Sequence, residues 1–164
     1  LAGGLSDAVV EIRGITRGKR RLKQALIQAS NCRYQPRVVL APRGNTLVMV
    51  NSDPFEHRLR VRGPGPGAFF DGLFAPGDKV RTNEAQIPGV YALSCDLQPW
   101  LEGHVYVVEH PYFAVTGIGG AFRIEDVPPG KHPARVWHPV LGERSGEVEV
   151  SDGAVAKLVF RYTQ

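Results

Sequence analysis

An imidazole and a thiol stand out as the groups able to do chemistry. They belong to two short runs, Asn51-Ser52-Asp53-Pro54-Phe55-Glu56-His57 and Cys95-Asp96-Leu97-Gln98-Pro99-Trp100-Leu101. Both groups are transition-metal ligands, and soft thiolates select Cu(I) among other ions. A second thiol, Cys32, makes the cysteine count even. In an exported chain an even count invites a Cys32–Cys95 disulfide. A loop of that length would stabilise the fold by about 4 kcal/mol in the chain-entropy model. No His-x-His or Cys-x-x-Cys spacing occurs, and no nucleophile–base signature, phosphate loop or paired-acid motif is present. Enzyme activity is therefore not expected. His104, His110, His132 and His138 read as packing or turn residues.

The elements that must position these groups are short and alternating. Asp7 to Arg13, Gln24 to Ala29, Glu56 to Arg62, Val90 to Ser94, Gly103 to Glu109 and His132 to His138 alternate apolar and polar residues as half-buried strands do. Arg37–Ala41 and Asn45–Val50 flank Pro42-Arg43-Gly44 and read as a hairpin. Gly63-Pro64-Gly65-Pro66-Gly67 interrupts regular structure. Phe69, Phe70, Leu73 and Phe74 follow it on a long connection, where they are expected to plug the end of a barrel. Short strands are also expected at Ala121–Glu125, Gly146–Val150 and Ala154–Tyr162. So many strands imply a sandwich or barrel.

Composition agrees with a globular chain: 164 residues, 43% hydrophobic, 22% charged, with 19 Gly and 13 Pro. No apolar run approaches the ~18–20 residues that span a bilayer, so no transmembrane segment is expected. The chain begins at Leu1 rather than Met and reads as a mature exported product. Net charge is +4. Much of the excess sits at Arg17, Lys19, Arg20, Arg21 and Lys23, which reads first as a solvated loop between two strands and second as a candidate site for an anionic surface. The run lacks interleaved aromatics, which argues against nucleic acid.

In order and spacing, these motifs resemble a family of bacterial exported cupredoxin-like proteins, of plastocyanin-like or methylamine-utilisation-like type. The resemblance rests on Cys32-Arg33-Tyr34-Gln35-Pro36, Pro42-Arg43-Gly44, Asn51-Ser52-Asp53-Pro54 with His57, Pro88-Gly89-Val90-Tyr91, the Cys95 to Leu101 loop, and Val105-Tyr106-Val107-Val108. From about Tyr112 onward the chain also resembles a carboxypeptidase-regulatory or transthyretin-like module. The marks there are Thr116-Gly117, Gly120-Ala121-Phe122-Arg123-Ile124 and Val127-Pro128-Pro129-Gly130. The resemblance implies an all-β fold, a cupredoxin-like Greek-key sandwich at 1–111 with a small transthyretin-like β appendage at 112–164.

It also implies a ligand set. A blue-copper centre takes two imidazoles, a thiolate and a weak axial thioether. His57 and Cys95 match the first imidazole and the thiolate. Gln98 stands in place of the second imidazole and Leu101 in place of the thioether. Arg58 and Arg60 would oppose a cation beside His57. The expectation is therefore a non-enzymatic, exported accessory or structural protein with a degenerate copper site and no cofactor. It would dock a protein partner, or a larger extracytoplasmic assembly, through Phe55, Gln98, Trp100 and Leu101. The alternative is a copper-binding electron-transfer or copper-handling protein using Cys95 and His57, with Cys32 as a third soft ligand.

Overall fold

The computed structural model describes residues 4–15 and 25–162. Within these residues the structure is all β, with thirteen strands and no helix. The basic run from Arg17 to Lys23 lies outside the described residues. The chain divides into two compact units, one of residues 21–109 and one joining 1–20 to 110–164.

In the second unit, β1 (Val9–Ile12) lies between β11 (Phe113–Val115) and β12 (Gly130–His138), and β13 (Gly142–Val150) closes the sheet. All its pairings are antiparallel. The division expected at residue 111 therefore omits a strand: β1 pairs with the C-terminal segment. Every residue of β1 is buried, and a strand buried on both faces needs neighbours and cover that the N-terminal segment cannot supply alone. The expected strands at 121–125 and 154–162 are not formed. Their apolar residues Phe122, Ile124, Leu158 and Phe160 pack on the sheet without joining it.

The unit of residues 21–109 is a cupredoxin-like sandwich. One sheet runs β4 (Val38–Pro42), β10 (Glu102–Val108), β9 (Gly89–Cys95), β6 (His57–Arg62), β7 (Phe70–Phe74). The other runs β3 (Arg33–Gln35), β2 (Leu26–Ser30), β5 (Thr46–Asn51), β8 (Lys79–Glu84). The β4–β10 and β2–β5 pairs are parallel. The two inner faces share one core that includes Ile27, Leu47, Met49, Leu59, Leu93 and Val105. Each such side chain contributes about 1.5–3 kcal/mol when fully buried.

Two expectations fail here. β4 and β5 are not a hairpin, because each pairs within a different sheet. Phe70 to Phe74 is a strand paired along β6, with Phe74 fully buried, and not part of a long connection. An aromatic at each end of a five-residue strand fits a pleated, half-buried surface, whereas Asp71 and Gly72 obscure the alternation.

Candidate metal centre

Alternation along two adjacent strands brings the imidazole and the thiol together. On β6, His57, Leu59 and Val61 point inward while Arg58 and Arg62 point out. On β9, Tyr91, Leu93 and Cys95 point inward. The strands run antiparallel with Leu59 opposite Cys95. His57 is two residues beyond Leu59, so its ring emerges on the same face and at the same end as the sulfur. His57 is 0% exposed and Cys95 2%.

The loop after β9 supplies a third atom. The Asp96 amide donates to the Arg58 carbonyl at 3.1 Å, and the Leu101 amide donates to the Gln98 carbonyl at 2.9 Å. This turn drives Leu101 into the core, where it is 1% exposed. It also swings the Gln98 amide inward. Gln98 Oε1 lies 2.8 Å from Cys95 Sγ and 2.8 Å from His57 Nδ1, and Sγ lies 3.7 Å from Nδ1. Three heteroatoms thus converge in a buried pocket.

A fourth residue, invisible to motif reading, orients the ring. Asp53 Oδ2 is 3.0 Å from His57 Nε2, with the carboxylate 5% exposed. Asn51 braces the segment between them. Its Oδ1 accepts the Asp53 amide at 3.0 Å, and its Nδ2 donates to the Phe55 and Phe74 carbonyls at 3.0 and 2.8 Å. The Asp53 carboxylate also accepts the Cys32 amide at 3.3 Å. That amide is presented by the two-residue turn between β2 and β3, where Asn31 and Cys32 have φ of +53° and +56°. Positive φ at both central residues is the type I′ requirement of a tight hairpin.

Apolar side chains enclose the ring. Phe55 meets His57 edge-on at 5.2 Å between centroids, and Phe74 lies 6.5 Å away. Tyr34 is also buried beside the thiol. Burial first, and then the charge of Cys95, push its phenol well above the usual range. Its hydroxyl has no hydrogen-bond partner among the described residues. Gly103 leaves room for this ring, since a Cβ there would meet Tyr34 carbons at 3.1–3.4 Å.

The structure revises several site expectations. Cys32 and Cys95 are free thiols, with no disulfide between them. Cys32 instead serves the site through its backbone amide. Among the described residues no three His, Cys, Asp or Glu side chains are placed to share an ion, which removes the Cys32/Cys95/His57 trio. Leu101 cannot belong to a docking face because it is a core residue, and Gln98 directs its amide oxygen inward. Phe55 and Trp100 are 37% and 66% exposed. Arg58 and Arg60 do not crowd the pocket. They lie on the outer face of β6 and pair with Asp71 and Asp96 at 2.8–3.7 Å.

The protein matches no family model and no curated protein. Among solved structures it is similar to amicyanin from Paracoccus versutus, at 20% identity over 52% of this chain and 81% of that one, with a TM-score of 0.46. It is similar to a purple cupredoxin from Nitrosopumilus maritimus, at 23% identity over 52% of this chain and 100% of that one, TM-score 0.45. A copper-containing nitrite reductase from Thermus scotoductus SA-01 matches at 23% identity over 61% of this chain and 26% of that one, TM-score 0.47. The fold assignment rests on the strand order given above.

Proposed function

We propose that this is a non-enzymatic, exported copper-binding protein that holds Cu(I) at a three-donor centre of His57 Nδ1, Cys95 Sγ and Gln98 Oε1. The observation that carries this reading is the convergence of three lone-pair atoms on one buried point. A carboxylate only accepts hydrogen bonds, so in a neutral ring the Asp53 contact makes Nε2 the donor and leaves the Nδ1 lone pair facing the thiol. Gln98 Oε1 has no proton to offer either. The Cys95 thiol donates to Gln98 Oε1 at 2.8 Å, and a soft cation bound here would take the place of that proton. Donors that share an ion at ~2.0–2.3 Å, at angles near 90–120°, stand roughly 2.8–3.8 Å apart. The Nδ1–Oε1 and Nδ1–Sγ separations of 2.8 and 3.7 Å fall in that range, while the 2.8 Å between Sγ and Oε1 is that of the thiol's hydrogen bond.

The donor set favours copper in its lower oxidation state. A thiolate is soft, an amide oxygen is a weak partner, and the axial thioether is replaced by a buried leucine. Bound copper would supply a thiolate-held soft ion. The protein would supply a dry, preformed cage, in which burial of His57 and Cys95 keeps larger molecules from the sulfur.

The test is the copper content and visible spectrum of protein purified from its native host without added chelator. One equivalent of colourless copper, lost in Cys95→Ser, supports the reading. Absence of copper from protein with both thiols reduced would sink it.

A second reading is favoured by the exposure of Phe55, Leu97 (52%) and Trp100 beside the centre. These residues would dock a protein partner or an extracytoplasmic assembly. Trp100→Asp that folds normally and keeps the native association would remove that reading. The appendage keeps its proposed carboxypeptidase-regulatory or transthyretin-like character as an accessory module.

A further inference from the structure

We infer that the second unit binds an extended strand of a partner protein in the groove between residues 120–127 and 151–158. The sheet of β1, β11, β12 and β13 is covered on one face by two segments that belong to no sheet. Exposure alternates along both. Phe122 and Ile124, and Leu158 and Phe160, pack on the sheet, while Arg123, Lys157 and Val159 are exposed. A period of two is that of extended backbone. Side chains alone hold the segments down. Phe160 sits so close over β13 that a Cβ added at Gly146 would meet its ring at 3.0 Å. Among the described residues no backbone hydrogen bond is made by 122–124 or by 155–160, so unpaired strand edges flank the groove on both sides. The open groove measures about 1080 Å³, with Ile12, Val148 and Val150 of the sheet at its base. That exceeds the roughly 300–1,000 Å³ of a small-molecule pocket. The unit is thus a sandwich whose second layer has room for a strand between its two segments. Free amides and carbonyls on both walls, above an apolar base, are answered by a polypeptide strand. It carries donors and acceptors on both edges, and its alternate side chains fill the base. Every second residue of the occupant is therefore apolar. Charge selects the residues between. Arg123 is paired with Glu125 at 3.1 Å, but Lys157 has no ion pair among the described residues, so the partner strand places an acidic residue outward beside it. A second copy's 154–162 would instead bring its own Lys157 and Arg161 to that face, a like-charge arrangement that costs stability.

Hydrogen exchange of the whole chain is the first test. Amides of 122–124 and 155–160 should exchange without protection while those of β12 and β13 are slow. Protection of both segments in a monomeric chain would mean that they pair with each other, and overturns the inference. A phage-displayed library of random nonapeptides is then selected on the whole chain. The expected peptides alternate apolar and polar residues, and the best of them, made synthetically, slows exchange at 122–124 and 155–160 by about 10-fold or more. A strand with a partner on each side uses the amides of both its edges. N-methylation at each of two successive central residues of the peptide should therefore weaken binding by about 10-fold. Tolerance at either position overturns placement between two walls. A library that yields no binder, or binders that leave both segments unprotected, overturn the inference as well. A chain that dimerises with both segments protected makes a second copy the occupant and defeats the partner strand.

Discussion

Copper(I) should stabilise one unit of this protein and leave the other unchanged. All three donors lie within residues 21–109. A ligand that binds only the folded state, held at a hundred times its Kd, stabilises it by about 2.7 kcal/mol. For a domain of roughly 60–100 residues, 1 kcal/mol moves the midpoint by about 4–8 °C. The melting midpoint of this unit should therefore rise by roughly 11–22 °C with chelator-buffered Cu(I) and reduced thiols. Binding to unfolded thiols would trim the figure. The two tryptophans lie in different units, Trp100 in this one and Trp137 in the other. Emission from Trp100 in a Trp137→Phe background reports the copper-binding unit, and the reverse variant reports its neighbour. Cys95→Ser should abolish the rise. Cys32→Ser should keep it, since Cys32 serves the site through its amide. A Trp100 midpoint unmoved by Cu(I), or an equal rise in Cys95→Ser, would refute the three-donor centre.

Other consequences can be checked separately. Leu101→Ala should destabilise by about 2–5 kcal/mol in urea unfolding, as a core deletion does, while Trp100→Asp should stay within about 0.5 kcal/mol. Equal effects would contradict their opposite burial. Alkylation of unfolded, unreduced protein should label both cysteines, and a single mass without adducts would show a disulfide. Glu11 gives the second unit an acid limit. Burial raises its pKa, but the hydrogen bond with His110 at 2.9 Å and the charge of Arg135 at 2.8 Å outweigh that and hold it below 4.5. Because the unfolded state then binds more protons in acid, this stability is present above about pH 4.5 and is lost as pH falls through the lower folded value. Glu11→Gln should flatten that part of the pH–stability curve, measured by urea midpoints.

Strands that present one face to the core could be read directly. His57-Arg58-Leu59-Arg60-Val61-Arg62 and Val90 to Ser94 alternate cleanly, because each has a buried and a wet face. In the structure the same period carries His57 and Cys95 inward at the strand ends. Strand β8 and the Phe70–Phe74 strand were hidden because glycine and charged residues break their pattern. The apparent hairpin across Pro42-Arg43-Gly44 failed for another reason. A local turn signal cannot say whether its two strands pair with each other or with distant partners in separate sheets.

The sequence alone determined the donors available and, for the strands that alternate cleanly, the face each would bury. A period of two is a property of the backbone, and imidazole and thiol chemistry belongs to the side chain. Only the tertiary structure decided which of those donors meet. The turn that sinks Leu101 also turns Gln98 inward, the β2–β3 turn aims the Cys32 amide at Asp53, and Asp53 fixes the ring of His57. The Cys32–Asp53 and Gln98–His57 contacts join residues 21 and 41 positions apart, and their geometry depends on how separate strands and loops pack, which no local pattern encodes.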